Sequence, residues 1–156
     1  MISILQAADD APISAARELF KDYESWLGMD LCFQGFEEEL RTLPGRYSPP
    51  DGRLFIAYVD GEAAGCIAMR KIDEGICEMK RLYVRPEFQG HKIGVRLIER
   101  LIDEAKKEKY KFMRLDTLPE KMEKAAELYR THGFYSIPPY YENPYEGVAF
   151  MELDLS

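Results

Sequence analysis

The feature that most constrains the fold is a switch in the spacing of apolar residues near position 54. Before it, apolar residues recur every three or four positions, as they do on one face of a helix. After it come three short apolar runs separated by turn residues, and Asp60-Gly61, which joins the first two, is typical of a type I′ hairpin turn. The switch predicts three consecutive antiparallel strands, at 54–59, 62–70 and 76–84.

The helical spacing returns after Pro86. From Ile93 to about Glu108 the apolar positions are those of an amphipathic helix: Leu97, Ile98, Leu101, Ile102 and Ala105. The run at 111–118 is again typical of a strand. Because a strand, a helix and a strand joined by short connections form a βαβ unit, strands 76–84 and 111–118 should be parallel, with a right-handed crossover.

The remaining segments complete one α/β (α+β) domain over residues 1–156. Gly28 and Gly133 are expected to end helices, the second as a left-handed cap. The other elements are a strand at 2–7, a helix from Asp9 or Asp10, a helix with Phe33, Phe36, Leu40 and Leu43 on one face, a helix through Met122 to Tyr129, and strands at 135–139 and 147–155. The predicted order is β-α-α-β-β-β-α-β-α-β-β, a mixed sheet of about seven strands with about four helices.

The charge balance argues against a nucleic-acid partner. The 156-residue chain has a formal net charge of −7, whereas phosphate binding relies on Lys and Arg. The balance mildly favours a cationic small molecule or a basic peptide. The longest apolar runs, 54–59 and 63–69, are shorter than the roughly 20 residues that span a bilayer, and the sequence does not begin with a signal-peptide pattern. We therefore expect a cytoplasmic protein without a membrane partner.

The cysteine and histidine content predicts no metal centre. The three cysteines, Cys32, Cys66 and Cys77, are odd in number and have no metal-ligand spacing, and His91 and His132 are the only histidines. Because Cys66 and Cys77 lie in apolar, strand-like sequence, we expect buried, reduced thiols at both positions.

The stretch EMKRLYVRPEFQGHKIG (78–94) is the most informative for function. A strand runs into a short loop with Gln89 and Gly90 and then opens a helix near Lys92 to Gly94. Such a junction directs unpaired backbone N–H groups and the helix dipole at one point, which suits a phosphate or pyrophosphate. Because glycine also fits a plain strand-to-helix turn, this stretch alone leaves both interpretations open.

Two motifs make this region resemble the GNAT acetyltransferases. LYVRPEFQGHKIG (82–94) resembles the family's central motif Q/R-x-x-G-x-G/A, which follows a strand that ends in Arg-Pro. AAELYRTHGF (125–134) resembles A-x-x-L-Y-x-x-x-G-F, and RLDT (114–117) resembles the family's fifth strand. The resemblance covers about 50–156 and, before that, the order of elements only. It implies that an acetyl group moves from acetyl-CoA to a primary amine of a small molecule or peptide by direct attack.

The resemblance also implies a set of coenzyme A contacts. The strand splays from its neighbour, so the backbone of Leu82, Tyr83 and Val84 would pair with the pantetheine arm. The pyrophosphate would lie against the turn formed by Gln89, Gly90, His91, Lys92, Ile93 and Gly94. Lys92 departs from the pattern, which has glycine there. Its side chain either crowds the pyrophosphate or adds a positive charge beside it, and we expect the second.

Two side chains match catalytic residues of the family. Tyr129 matches the helix tyrosine that points at the coenzyme sulfur, and its phenol could protonate the leaving thiolate because the two pKa values are not far apart. The alternative is a tyrosine packed on an apolar helix face. Glu78 matches a base that part of the family uses, and it would act through a water; the alternative is a surface ion pair. The oxyanion donor would be the backbone N–H near Val84.

The acceptor pocket is less determined by the sequence. Aromatic residues fall in the two regions that commonly wall it in the family: Tyr23, Trp26, Phe33, Tyr140, Tyr141 and Tyr145. The run Glu37–Glu39 either attracts a cation or forms a solvated helix face. The loop at 140–146 is either a substrate gate or a contact in a homodimer. The competing functions are an acyl-CoA-binding regulatory module without turnover and a scaffold domain without ligand.

Overall fold

The computed structural model describes residues 1–28, 31 and 35–156. In this part of the chain one mixed sheet of seven strands is covered by four helices. The strands are β1 (Ile2–Gln6), β2 (Arg53–Val59), β3 (Glu62–Asp73), β4 (Ile76–Val84), β5 (Phe112–Thr117), β6 (Tyr135–Ile137) and β7 (Ala149–Asp154). The helices are α1 (Asp10–Leu27), α2 (Phe36–Thr42), α3 (Ile93–Lys107) and α4 (Glu123–Thr131).

The sheet order is β1-β2-β3-β4-β5-β7-β6. Only β4 and β5 are parallel, and the other neighbouring pairs are antiparallel. The predicted fold class, the element order and the parallel β4–α3–β5 unit are therefore confirmed. In that unit the crossover helix α3 packs on β2, β3 and β4, and residues 85–92 connect the end of β4 to the start of α3.

Local signals account for the turns. Asp60 and Gly61 both have positive φ, 49° and 87°, as a type I′ turn requires. Gly28 ends α1 with φ 69°, and its N–H donates to the Glu24 carbonyl at 3.0 Å. Gly133 has φ 98° and follows His132, the C-cap of α4, so its predicted left-handed conformation is also confirmed.

The sheet separates two hydrophobic cores, because successive strand residues point to opposite faces. On one face Phe55, Ile67 and Leu115 pack with Leu97 and Leu101 of α3. On the other face α1 and α2 cover the strands through Phe20, Phe36, Leu54, Ile56 and Ala68. Toward β5 and β7 this second face becomes polar, which is where the candidate site lies.

Some element ends differ from the prediction. The structure begins α2 at Phe36, and Phe33, expected on that helix, lies outside the described residues, as does Cys32. Strand β6 ends at Ile137 because Pro138 and Pro139, which follow, have no N–H to donate to a ladder. Cys66 and Cys77 are buried and free, as expected. Within the described residues, no helix has both the length and the apolar character needed to cross a bilayer.

Candidate active site

The parallel strands β4 and β5 are joined at one end only. They pair at Ile76–Phe112, Cys77–Met113 and Glu78–Arg114, where their described ladder ends. Beyond Glu78 the strands separate, so the edge of β4 that faces β5 carries backbone N–H and C=O groups without a strand partner. The gap is a cleft of about 50 Å³, enough for a few water molecules. Its wall includes Tyr23, Lys80, Arg81, Leu82, Asp116, Thr117 and Tyr129.

A β-bulge in β4 changes which side chains border this cleft. In the β3–β4 ladder Tyr83 pairs with Cys66 and Lys80 with Ala68. Arg81 and the residue after it therefore face a single residue of β3. Arg81 has a φ of 62°, a left-handed conformation that is uncommon outside glycine. The extra residue interrupts the alternation of the strand, so that two consecutive cations reach the cleft.

Arg81 also holds α2 against the sheet. Its guanidinium donates to both carboxylate oxygens of Glu39, at 2.8 and 3.0 Å, and lies 5.2 Å from the ring centroid of Phe36. The three glutamates of the run Glu37–Glu39 therefore have different roles. Glu37 and Glu38 are exposed, as expected of a solvated helix face, whereas Glu39 forms a structural ion pair with Arg81.

The turn between β4 and α3 presents backbone N–H groups to solvent. Gly90 and Lys92 have positive φ, 93° and 57°, and Lys92 is the N-cap of α3. The first N–H groups of a helix have no intrahelical acceptor, and the first turn of α3 contains no acidic residue. At Gly94 an added Cβ would come no closer than 3.9 Å to another residue, so packing does not require a glycine there. A ligand that lies against the backbone would require one, and the turn therefore fits a bound phosphate.

The residues predicted to contact the cofactor differ in what they offer. Gln89, Gly90, His91 and Lys92 are exposed, whereas Ile93 is 2% exposed and packs in the core, so it offers only its backbone. The Gln89 side chain donates to the Val84 carbonyl at 3.3 Å, which occupies one acceptor at the end of β4.

Leu82 lines the cleft, whereas the Tyr83 side chain does not. Its ring packs between those of Tyr23 and Trp26, with centroids 6.1 and 6.2 Å away. Tyr83 can therefore offer a ligand in the cleft its backbone but not its side chain.

Tyr129 projects from α4 and lines the cleft. It is 5% exposed, and its ring centroid lies 5.7 Å from that of Phe134. Burial raises the pKa of its hydroxyl, so Tyr129 stays protonated at neutral pH. The two interpretations of this tyrosine are compatible, because it belongs to the core and also borders the cleft.

Glu78 lies at the point where β4 and β5 separate. It is 2% exposed, so the surface ion pair considered for it is wrong and the ion pair is a buried one. Arg70 Nε donates to Oε1 at 2.9 Å, and the Tyr140 hydroxyl donates to Oε2 at 2.6 Å. Burial acts to raise the pKa of Glu78, but Lys80, the Tyr140 hydroxyl and Arg70 outweigh it, and the pKa lies below the usual value.

Lys80 and Asp116 also line the cleft, and neither was predicted from the sequence as a site residue. Burial, with repulsion from Arg81, lowers the pKa of Lys80. Burial raises the pKa of Asp116, although Lys80 opposes this. Because strand residues alternate between the two faces of a sheet, Asp116 lies on the same face as Arg114. Alternation does not show whether that face borders a cleft or open solvent.

The predicted aromatic wall is present in part. Tyr23 lines the cleft, and Trp26 is 40% exposed beside it. Tyr140 and Tyr141 both pack on Phe150, with ring centroids 5.2 Å away. The 140–146 loop thereby covers the polar face of β5 and β7, beyond the part of the sheet that α1 and α2 cover.

Comparisons with known proteins agree with this geometry. The sequence model of the acetyltransferase (GNAT) family matches residues 13–134. An uncharacterized N-acetyltransferase of Schizosaccharomyces pombe is 42% identical over 88% of this chain and 85% of its own. One from Dictyostelium discoideum is 35% identical and covers 99% of both chains. The crystal structure of a GNAT-family acetyltransferase from Staphylococcus aureus has the same fold over 100% of both chains, with a TM-score of 0.82 at 19% identity. The chain belongs to the acetyltransferase (GNAT) family.

Proposed function

We propose that this protein transfers an acetyl group from acetyl-CoA to a primary amine of a small molecule or peptide. The observation that carries the proposal is the arrangement along β4. Its edge becomes unpaired beyond Glu78, the resulting cleft is lined by Tyr129, and a connection over 85–92 leads from the strand to the start of α3. These features supply an extended binding edge, a proton donor and an anion site in that order.

The coenzyme part of the site uses backbone groups. The unpaired edge of β4 at Leu82–Val84 can pair with the amide groups of an extended pantetheine arm, as an added strand would. The N–H groups of residues 90–94 donate to the pyrophosphate at the start of α3. The Lys92 side chain is exposed, so it can reach outward to a phosphate without displacing the backbone. Acetyl-CoA supplies the thioester carbon that the amine attacks.

Tyr129 and a backbone amide then manage the charge that develops. As the new C–N bond forms, the N–H near Val84 donates to the carbonyl oxygen, on which negative charge accumulates. As the C–S bond breaks, Tyr129 gives its hydroxyl proton to the sulfur. Burial raises the pKa of Tyr129, so the hydroxyl holds its proton when the reaction begins. The same shift makes it a weaker acid than the near match of phenol and thiol pKa values predicts.

Glu78 is the proposed proton acceptor for the amine, acting through a water. Its lowered pKa keeps the carboxylate ionised at neutral pH. On β4 it lies two residues before Lys80, which lines the cleft. Because Glu78 is ionised at every pH above about 4.5, Glu78→Gln should lower turnover across that whole range, whereas Tyr140→Phe, which keeps the carboxylate, should retain it. Unchanged turnover in Glu78→Gln would remove Glu78 as the base.

The function is tested by following thiol release from acetyl-CoA in the presence of a panel of primary amines. Mass spectrometry identifies the acetylated product. We expect amine-dependent release that Tyr129→Phe reduces. If acetyl-CoA binds but no amine stimulates release, a regulatory module without turnover replaces this proposal, and absence of binding would favour a scaffold domain.

A further inference from the structure

The charged side chains around the cleft are mostly paired with one another. On the β4 and β5 face that the 140–146 loop covers, and on the neighbouring α2, three arginine–carboxylate pairs form: Arg70 with Glu78 at 2.9 Å, Arg81 with Glu39 at 2.8 Å, and Arg114 with Glu152 at 2.9 Å. When these pairs are set aside, one cation and one anion remain among the described residues of the cleft wall, Lys80 and Asp116.

Lys80 is a buried cation with one long ion pair. It is 7% exposed. Its nearest carboxylate oxygen among the described residues is Glu78 Oε1, at 3.9 Å. Both oxygens of Glu78 already accept hydrogen bonds, from Arg70 and from the Tyr140 hydroxyl. The ammonium of Lys80 therefore retains donors for another partner, because it carries three N–H groups.

Asp116 is a carboxylate with an unused oxygen. Its Oδ2 is buried and has no hydrogen-bond partner among the residues that the structure describes. A buried carboxylate oxygen without a donor is costly unless something supplies the donor. In the β5–β7 ladder Asp116 lies opposite Phe150, whose ring offers no hydrogen bond.

Lys80 and Asp116 lie on different strands beyond the point where β4 and β5 separate. Glu78 and Arg114 are register partners at the last paired position of β4 and β5. Lys80 and Asp116 lie two residues further along their strands, on the same face, and both border the cleft. No ion pair within 4.0 Å joins them in the described part of the chain. A ligand with both charges would satisfy the two residues at once.

We propose that Lys80 and Asp116 form the acceptor subsite and that the acceptor is a free amino acid, with its carboxylate on Lys80 and its ammonium on Asp116. This inference rests on the proposed function. The ammonium of the acceptor first gives one proton through water to Glu78, and the free amine attacks the thioester carbon to form the C–N bond. As the C–S bond breaks, the sulfur takes the Tyr129 proton and the second proton of the nitrogen passes to Tyr129, so that the products are the amide and the free thiol. The net charge of Lys80 and Asp116 together is zero, which matches a zwitterion better than a simple amine or a diamine.

The experiment compares the twenty amino acids with their amides, which keep the amine and lose the carboxylate, and with the corresponding decarboxylated amines. Values of kcat/KM are measured for the wild type, Lys80→Met, Asp116→Asn and the control Lys107→Met, an exposed change on α3. In parallel, amino-acid binding to the protein saturated with desulfo-CoA is measured by calorimetry.

The wild type should prefer at least one amino acid over its amide by about 10- to 100-fold, the effect of one charge-assisted hydrogen bond. Lys80→Met should remove that preference while still using the amide, and Asp116→Asn should weaken both substrates alike. Lys107→Met should match the wild type. Equal or better use of amides and simple amines, or a preference that persists in Lys80→Met, would overturn the inference and leave the proposed function standing.

If no amine turns over, the proposed function fails, and the binding measurement decides the subsite independently. Amino-acid binding that both Lys80→Met and Asp116→Asn abolish supports the subsite. An absence of binding in the wild type, or binding that neither change affects, overturns it. Thermal unfolding of each variant identifies any that does not fold, and either of the two variants is sufficient for the comparison.

Discussion

The two sides of the cleft present different kinds of chemical group. Toward α3 the surface consists of backbone, with Gly90 and Lys92 in left-handed conformations and the free N–H groups of a helix start. Toward α1 and the 140–146 loop it consists of side chains held by ion pairs around Glu78. A backbone site depends on conformation, so it tolerates changes of side chain except at the glycines that the ligand approaches closely. A side-chain site can change its ligand without changing the fold.

We call the side of the cleft toward α3 the backbone half and the side around Glu78 the side-chain half. We expect the side-chain half to contribute strongly to stability. Glu78→Gln should destabilise the protein by on the order of 3 kcal/mol at neutral pH, because Arg70 and Lys80 lose a buried counter-charge. The pKa of Glu78 in the folded protein is below its usual value of 4.5, so the stabilisation from its charge is complete above pH 4.5 and is lost as pH falls through the folded-state pKa.

Chemical denaturation between pH 3 and pH 8 measures this effect, using Glu18→Gln, an exposed carboxylate on α1, as the matched control. The stability gap between wild type and Glu78→Gln should narrow below about pH 4.5. A gap that stays constant down to pH 3 would show that the charge of Glu78 is not what stabilises this half.

Tyr129→Phe tests the residue that lies between the two halves. Turnover should fall by ~10²-fold or more, the range expected for a positioned proton donor, while the affinity for coenzyme A is retained because the ring still packs on Phe134. Tyr135→Phe removes the hydroxyl of a more exposed tyrosine on β6 and should leave turnover unchanged. Unchanged turnover in Tyr129→Phe would show that another group protonates the sulfur.

Gly94→Ala tests the backbone half. The new methyl group has room in the folded protein, and alanine favours a helix by up to about 1 kcal/mol over glycine. Stability should therefore hold or rise, while coenzyme A binding should weaken by about tenfold because the methyl group meets the ligand.

Gly65→Ala is the opposite case. There a Cβ would come within 2.6 Å of the Tyr83 carbonyl oxygen, so stability itself should fall. If Gly94→Ala binds coenzyme A as tightly as wild type, the glycine serves only the turn and the pyrophosphate lies elsewhere.

Lys92→Gly should have the smallest effect. Glycine adopts the left-handed conformation of this position without strain, but the positive side chain is lost. We expect coenzyme A to bind a few-fold more weakly, with a reduced dependence on salt. Tighter binding would mean that the lysine crowds the pyrophosphate.

The sequence predicts the backbone half better than the side-chain half for a physical reason. The 78–94 stretch encodes its own strand, turn and helix start, so contacts near in sequence determine the geometry of Gly90 and Lys92. The spacing of apolar residues likewise determines the order of strands and helices. These are local signals, and the structure confirms the elements that they predict.

Lys80 and Asp116 depend on contacts that are distant in sequence. Lys80 reaches the cleft beside a bulge formed against β3, and Asp116 borders it because β5 leaves β4 while remaining paired with β7. Neither the bulge at Arg81 nor the end of the β4–β5 ladder has a short sequence signature. The burial of Glu78 beneath Tyr140 likewise joins residues 62 positions apart.

The most direct test of the central claim is a calorimetric titration of the wild-type protein with acetyl-CoA and desulfo-CoA, with thermal unfolding followed in parallel. The account predicts saturable binding with a Kd on the order of micromolar and a rise in Tm at saturation. Absence of binding at millimolar ligand would contradict it, because the β4 edge and the α3 turn would then not form a coenzyme A site.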